Sequence, residues 1–275
     1  MTKVIIISGY GGHGGSTVAH INLCNLFNDK GLDATFVSPG NWSNKCKFIN
    51  ITTFLNNLTP HCSASIIYHF LNPAMFAKVP GSLGSFFSKI TLTCHETNIY
   101  PLKKYFPNGF GTLDNIHMVS ESQKKWHGIE DDRIKIIPNV ISKVNKVGNP
   151  ESGIAGVVGS IDRHKRTGLA ISNAARDGYK TIKVIGHVSD PEYKDEIKKN
   201  LPRNTTVRFL DHVDGLDNVY NNLEVVYHAS TRETFNFVKP ECEQAGVKYI
   251  GLDSAESGAD YWKLDDIFKA WKEIL

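Results

Sequence analysis

Cysteine is scarce in this sequence and never paired. The five cysteines are scattered along 275 residues, and none stands in a CxxC pair. An odd number without paired spacing argues against a disulfide framework and against a zinc site. It favours a reducing, cytoplasmic compartment with free thiols.

Long apolar runs are also absent. No stretch approaches the ~18 consecutive apolar residues of a membrane-spanning helix. The segment 1–12 has only a short apolar run before its glycines. It is typical of a first buried strand rather than a signal peptide. We therefore expect no transmembrane segment.

Clustered acids and strong charge are lacking too. There is no DxD triplet, and the nearest acidic pair, Asp131-Asp132, stands in a polar turn, so no site for a hard cation is expected. The formal net charge is only +3. Residues 1–142 hold 12 Lys and Arg against 8 Asp and Glu, a mild excess that would suit an anionic partner.

Short apolar, β-branched runs alternate with segments of helical spacing. Nearly continuous apolar character is typical of strands that are buried on both faces, and the alternation predicts parallel sheets with right-handed crossovers. The predicted strands are 4–9, 34–39, 65–70, 89–95, 117–120 and 134–139, then 154–159, 181–186, 206–211, 224–230 and 247–252. The predicted helices include 17–28, 168–175 and 237–245.

A polar segment with Gly and Pro, residues 143–152, interrupts this alternation. We interpret it as the linker between two doubly wound α/β domains, an N-terminal one at 1–142 and a C-terminal one at 153–275.

A glycine-rich turn, residues 9–17, follows the first predicted strand and opens a helix. Such a turn lets backbone N–H groups approach an anion. It matches the dinucleotide GxGxxG pattern, but no acid ends the second strand. It also matches part of a P-loop, but Gly15 stands where the phosphate-binding lysine would be. A glycine-rich loop lining an interdomain cleft and a tight turn without a ligand are the remaining interpretations.

Two further segments carry charge at strand ends in the second half. Residues 159–167 contain three bases within four positions, which can hold a diphosphate or form a solvated basic turn. Residues 233–241 place two carboxylates eight positions apart, where both can accept hydrogen bonds from hydroxyls. The helix start between them offers N–H groups to an anion. Interaction with the helix macrodipole explains Glu241 well but Glu233 poorly.

The order of these segments resembles the family 4 glycosyltransferases of the GT-B fold. The matching stretches cover nearly the whole chain: Gly14-Gly15-Ser16-Thr17, Cys94-His95-Glu96-Thr97, Val119-Ser120-Glu121, Ile137-Pro138-Asn139, the G-R-x-x-x-x-K frame at 159–165, the E-x7-E frame of Glu233 and Glu241, and 245–250.

This resemblance implies an α/β protein of two doubly wound Rossmann-like domains facing across a cleft, with the last helix packing back on the first domain as one option. It implies a retaining glycosyltransferase, either hexosyl or pentosyl. The donor, a nucleotide sugar of UDP or GDP type, is a co-substrate bound in the C-terminal half. No metal and no other cofactor is implied.

The resemblance also assigns roles to residues. Lys165 would neutralise the departing diphosphate, Glu233 would bind the transferred sugar, and His95 would lie beside that sugar. Glu241 would bind the ribose, and the base would lie near Gly186 and Val213. The donor-binding set implied is Gly14, Gly15, Ser160, Arg163, Gly186, Val213, Phe235, Asn236, Phe237 and Glu241.

Departures from the family pattern affect the same segments. Ser160 stands where the family has its diphosphate-binding arginine, so Arg163 or Arg166 is expected to substitute. Thr234 and Asn236 replace two glycines of the usual E-G-F-G. Strand histidines His69 and His228 are expected to be satisfied sheet residues rather than catalysts.

The acceptor prediction rests on two stretches in which lysines and aromatic residues are mixed. Lysines can follow phosphates and aromatic rings can stack on bases. These stretches favour a hydroxymethylated DNA base as acceptor, and the residues concerned are Lys103, Lys104, Lys124, Lys125 and Trp126. A lipid- or polysaccharide-linked glycan of the cell envelope is the alternative acceptor, and a solvated helix face is the plain structural explanation.

Three other activities compete with sugar transfer. One is a hydrolase or epimerase that acts on a nucleotide sugar. Another is a non-catalytic protein that binds nucleotide sugars. A dinucleotide oxidoreductase is disfavoured, because the strand-two acid is missing.

Overall fold

The protein consists of two α/β units, one formed by residues 1–140 with 258–275 and the other by residues 141–257. The computed structural model describes residues 2–12, 14–61, 63–69, 87–95, 113–146, 153–252 and 261–275.

Twelve strands are present in these described residues. They are β1 (Lys3–Ser8), β2 (Asp33–Ser38), β3 (Phe48–Asn50), β4 (Ser65–His69), β5 (Lys89–Cys94), β6 (Asn115–Met118), β7 (Ile134–Ile136), β8 (Ile154–Val158), β9 (Thr181–Ile185), β10 (Thr206–Phe209), β11 (Val225–His228) and β12 (Lys248–Gly251).

The helices of the same ranges are α1 (Gly15–Asp29), α2 (Ile51–Asn56), α3 (Glu121–His127), α4 (Thr167–Arg176), α5 (Pro191–Lys199), α6 (Leu216–Tyr220), α7 (Val238–Ala245) and α8 (Leu264–Ile274), with a 3-10 turn at Thr59–His61.

Each unit contains one parallel sheet. The first sheet has seven strands in the order β3-β2-β1-β4-β5-β6-β7, and the second has five in the order β10-β9-β8-β11-β12. The inner strands are buried on both faces, as the four residues Val4–Ile7 of β1 illustrate. The predicted fold class, two doubly wound α/β units, is confirmed.

The strand order reverses once in each sheet, between β1 and β4 in the first and between β8 and β11 in the second. Ligands of open α/β sheets bind outside the carboxyl ends of the strands at such a reversal. The loops that follow β1, β8 and β11 are therefore the places where a site is expected, and the segments singled out in the sequence are these loops.

Helix α8 completes the core of the first unit, although it is the last helix of the chain. Its buried side chains are Ile267, Trp271 and Ile274. The Trp271 ring lies edge-on to the ring of Phe27 in α1, with centroids 6.0 Å apart. The Asn115 amide of β6 donates a hydrogen bond to the Ile274 carbonyl at 3.1 Å.

The start of the predicted linker packs within the second unit. The Val144 N–H donates to Gln244 Oε1 of α7 at 3.1 Å, and the Gln244 amide donates to the Ser142 carbonyl at 3.2 Å. Residues 147–152 lie outside the described residues, so the predicted linker bounds stay a prediction.

None of the helices in the described residues is both long enough and apolar enough to cross a bilayer.

The packing of α8 predicts a large stability effect at Trp271. We expect Trp271→Ala to lower the free energy of unfolding by about 3–5 kcal/mol, since it leaves a cavity beside Phe27. Urea denaturation followed by circular dichroism measures the change. Glu273→Ala, on the exposed face of the same helix, is the control, and equal transition midpoints for the two variants would argue against this packing.

Candidate functional site

Two loops are joined at the strand reversal of the second sheet. One follows β8 at 159–166 and the other follows β11 at 229–237. The Thr231 N–H donates to the His164 carbonyl at 3.0 Å, and the Thr231 hydroxyl lies 2.8 Å from Nδ1 of the His164 ring. These contacts hold the basic segment and the carboxylate segment of the sequence together.

Glu233 is the centre of this region. The residue is 8% exposed, and one carboxylate oxygen, Oε1, has two partners. Lys165 Nζ donates to it at 2.5 Å from the loop after β8, and His228 Nε2 lies 2.9 Å from it at the end of β11. The two residues predicted from sequence to act together, Lys165 and Glu233, therefore form a direct ion pair.

The partners of Glu233 decide its charge. Burial raises the pKa of this carboxyl, but the hydrogen bond from His228 and the charge of Lys165 outweigh burial and bring the pKa to about 2. Glu233 is therefore ionised at neutral pH and only accepts hydrogen bonds. A hydroxyl that meets it must act as the donor.

His228, which was expected from the sequence to be only a satisfied sheet residue, contacts the Glu233 carboxylate. It is buried in a strand, as expected of a sheet histidine, but its Nε2 is directed at the Glu233 carboxylate. A histidine as the last residue of a strand, five positions before an acid in the following loop, was the available signal.

Glu241 lies in the first turn of α7 and is 5% exposed. The hydroxyl of Tyr220 in α6 is 2.6 Å from its Oε2. Burial raises the pKa of Glu241 to about 7, and the Tyr220 hydrogen bond opposes that shift. The two carboxyls of the E-x7-E frame thus differ in charge near neutral pH.

Asn236 caps the start of α7. Its side-chain Oδ1 accepts from the Val238 N–H at 3.0 Å and from the Lys239 N–H at 3.4 Å, and its Nδ2 donates to the Tyr249 hydroxyl at 2.7 Å. The N–H groups that the sequence predicted as an anion site are therefore already hydrogen-bonded to Asn236.

The rings of Phe235 and Phe237 flank Asn236 in sequence and contact each other. They meet edge to face, with centroids 4.9 Å apart. Phe235 is buried, whereas Phe237 is half-buried.

Arg163 and Arg166 are the two candidates to replace the family arginine that is Ser160 here, and their side chains have different partners. The Arg163 guanidinium is held by Glu196 and Asp190 of the α5 region. Arg166, in left-handed backbone with φ 48°, donates from Nε to the Ala229 carbonyl at 2.6 Å, on the loop that carries Glu233. This geometry favours Arg166 as the cation of the site.

Close loop packing explains two glycines at the same edge. A Cβ on Gly186 would lie 1.9 Å from the Gly159 carbonyl oxygen, and both residues have positive φ. The Gly159 N–H donates to the Ile185 carbonyl at 2.9 Å. Val213, predicted near the base of the nucleotide, follows β10 and packs half-buried against a core cluster that includes Ile185.

In the first unit, the glycine-rich turn divides into two parts. Gly11 packs against Gly40, where a Cβ on Gly40 would lie 2.3 Å from the Gly11 carbonyl oxygen. Gly14 precedes α1 in extended backbone, and a Cβ there would meet the Tyr10 ring at an ordinary 3.5 Å. Packing therefore requires Gly11 and Gly40 but not Gly14, and Gly15 begins the helix.

His95 directly follows β5 and is half-buried. Burial lowers its pKa well below 6.5, and the neighbouring histidines lower it further. His95 is therefore neutral at physiological pH, and it can both donate and accept a hydrogen bond.

The predicted acceptor contacts are only partly described. Lys103 and Lys104 lie outside the described residues, whereas Lys124, Lys125 and Trp126 lie on α3. Both lysines stand in the last turn of that helix, where their charge is favourable to the macrodipole. Their position in the last turn gives both lysines a structural role that needs no polyanion.

The raised pKa of Glu241 predicts a pH-dependent stability. The carboxyl titrates at about 7 when folded against an ordinary 4.5, so its contribution to stability is full below pH 4.5 and is lost as the pH rises through 7. Glu241→Gln carries no charge at any pH. As the pH rises from about 5 to about 8, we expect the variant to become more stable relative to the wild type, because only the wild type loses the contribution of a neutral carboxyl.

Urea titrations across this pH range measure the difference. Glu243→Gln, exposed on the same helix, is the control. A difference between Glu241→Gln and wild type that stays constant with pH would contradict the raised pKa.

No protein-family model and no curated protein sequence matches the chain. Solved structures do match. HepE from Anabaena in complex with UDP-glucose is similar with a TM-score of 0.71 at 14% identity, over 91% of this chain and 80% of that chain. The lipopolysaccharide outer core galactosyltransferase WaaB is similar with a TM-score of 0.64 at 16% identity, over 100% of this chain and 90% of that chain.

A variant of S. aureus TarM, in complex with fondaparinux, alpha-GlcNAc-glycerol and UDP, has a TM-score of 0.74 at 11% identity, over 100% of this chain and 92% of that chain. These likenesses agree with the two parallel sheets and with the fold expected from the sequence motifs. The chain has the GT-B fold of the glycosyltransferases.

Proposed function

We propose that the protein is a glycosyltransferase that uses a nucleotide-sugar donor. One observation carries this proposal: Lys165 and His228 both contact the same carboxylate oxygen of Glu233, at the strand reversal of the second sheet. In an α/β unit this is the position where a nucleotide binds. The likeness to GT-B structures that contain UDP or UDP-glucose supports the same conclusion.

Lys165 has the chemistry to bind the leaving diphosphate. An ammonium group has three N–H donors, and the Glu233 contact uses one of them. The other two can donate to phosphate oxygens. Arg166, the next residue of the same loop, adds a second cation in place of the family arginine that is Ser160 here. Catalysis then consists of positioning and of stabilising negative charge as the glycosidic bond to phosphate breaks.

The two glutamates would bind different parts of the donor. Glu233, ionised and acceptor-only, would receive hydrogen bonds from hydroxyls of the transferred sugar. Glu241, in the first turn of α7, would receive them from the ribose. The resemblance to the family 4 enzymes also implies retention of anomeric configuration. Comparison of the anomeric ¹H NMR coupling in donor and product tests that retention.

Loss of Lys165 should abolish most activity. We expect Lys165→Ala to lower kcat by ~100-fold or more, the usual effect of removing a preorganised charge-stabilising group. Donor turnover is measured with a panel of UDP- and GDP-sugars. Lys199→Ala, an exposed lysine at the end of α5 in the same unit, is the matched control and should leave kcat unchanged.

A folded Lys165→Ala protein with wild-type kcat would remove Lys165 from the mechanism. Donor cleavage by the wild type that no acceptor accelerates would instead identify a hydrolase. Donor binding without any turnover would identify a non-catalytic nucleotide-sugar-binding protein.

We propose a glycan hydroxyl as the acceptor. WaaB acts on a lipopolysaccharide core, and the TarM structure contains fondaparinux and GlcNAc-glycerol, which supports a carbohydrate-type acceptor for this fold. Of the residues predicted to contact DNA, Lys124, Lys125 and Trp126 are among the described residues. Lys124 and Lys125 stand in the last turn of α3, where their charge is favourable to the helix macrodipole.

The two acceptors predict different salt dependence. With a glycan acceptor, replacing Lys103, Lys104, Lys124 and Lys125 by alanine should leave transfer to that acceptor within about twofold, because these lysines then take no part in acceptor binding. Transfer assays and duplex-DNA titrations at several salt concentrations measure this. Sugar transfer to hydroxymethylated duplex DNA, with an affinity that falls steeply between ~50 and ~200 mM salt and less steeply in the variant, would establish DNA as the acceptor instead.

A further inference from the structure

Four histidines from different elements gather at the carboxyl edge of the first sheet. They are His20 of α1, His69 at the end of β4, His95 after β5, and His117 of β6. The His95 ring lies 4.9 Å from the His20 ring, 5.0 Å from the His69 ring and 6.3 Å from the His117 ring, centroid to centroid. Among the described residues, no group of three or more His, Cys, Asp or Glu side chains is arranged to hold a metal ion.

A chain of hydrogen bonds runs through two of these rings. The Ile137 carbonyl oxygen is 2.7 Å from His117 Nε2, and His117 Nδ1 is 2.6 Å from the Thr93 hydroxyl oxygen. The same hydroxyl oxygen is 3.4 Å from His95 Nε2. Both Thr93 and His117 are buried, so the chain is shielded from solvent.

The first link fixes the directions of the others. A carbonyl only accepts, so His117 must carry its proton on Nε2 and donate it to Ile137. In a neutral ring Nδ1 is then an acceptor, and the hydroxyl proton of Thr93 must point at it. A hydroxyl has a single proton, so Thr93 presents only lone pairs to His95. At 3.4 Å, lone pairs attract an N–H of His95 and repel a bare nitrogen.

We propose that Thr93 and His117 are positioning residues that hold His95 in one tautomer, with its proton on Nε2 and with Nδ1 as a hydrogen-bond acceptor. Building on the proposed function, a ligand hydroxyl that meets Nδ1 of His95 would then donate a hydrogen bond to the ring rather than accept one. Of these three residues, only His95 stands in a stretch that resembles the family. Thr93 lies within β5 and His117 within β6, and nothing in the sequence indicates that they are close to His95.

The charge state of the rings agrees with the chain. Burial brings the pKa of His117 to about 4, while its hydrogen bond to Ile137 opposes that shift. The pKa of His95 lies well below 6.5 for the reasons given above. Both rings are therefore neutral at pH 7, which is the state in which a tautomer is defined.

Nitrogen NMR tests the tautomer directly. In the protein labelled with ¹⁵N-histidine, long-range ¹H–¹⁵N correlation separates protonated from bare ring nitrogens, and His95→Gln assigns the signals. We expect protonated Nε2 and bare Nδ1 for His95 in the wild type. A bare Nε2 would overturn the proposal, whatever the enzyme does with its donor.

Variants of Thr93 test the positioning role. Thr93→Val removes the hydroxyl, so both His95 tautomers should become populated, and kcat/KM for the donor should fall about tenfold, the loss expected for one hydrogen bond. Thr93→Ser should keep the wild-type tautomer and restore most of kcat/KM. Thr91→Val, a buried threonine two positions earlier in the same strand, should change neither measurement.

The outcomes separate the two proposals. A Thr93→Val protein that keeps the Nε2 proton, or that mixes tautomers with unchanged kcat/KM, would overturn the role of Thr93. Failure of the wild type to use any nucleotide sugar would overturn the proposed function. The tautomer measurement would still decide whether the Ile137–His117–Thr93–His95 chain exists.

Discussion

One carboxylate oxygen, Oε1 of Glu233, is where the loops after β8 and β11 of the second unit meet. A buried charge is costly unless it is paired, and removing one partner of such a pair costs about 3–5 kcal/mol. Here Lys165 and His228 supply the pairing from two different strand ends. Their positions depend on the adjacency of β8 and β11, so the reversal in strand order is a condition for the site.

The neighbouring loops are built to hold that arrangement. The close approach of Gly159 and Gly186 joins the loops after β8 and β9. The Thr231–His164 and Arg166–Ala229 hydrogen bonds join the loops after β8 and β11. Lys165 therefore lies on a segment fixed on both sides, and little of its interaction energy with a ligand would be lost to ordering the loop.

The sequence predicts most of the fold because its strands are buried on both faces. Apolar runs such as VIII at 4–7 identify them without tertiary information. Strand β3 was missed, because it has three residues and a half-exposed pattern. The resemblance to the family 4 enzymes predicted Lys165 and Glu233 for the same site, and the structure pairs them. The direction of Arg163 was not predictable, since it is set by acids about 30 positions later along the chain.

Helix α8 has a consequence for the order in which the protein folds during synthesis. The first unit needs Trp271 and Ile274 to close its core, yet the whole second unit is translated between β7 and α8. Emerging domains usually fold from the N-terminus onward. In this chain the whole second unit is synthesised before α8, so the early strands cannot complete their native core until the second unit has been made. The first unit therefore departs from the usual N-terminal-first order, because its core is shared by both ends of the chain.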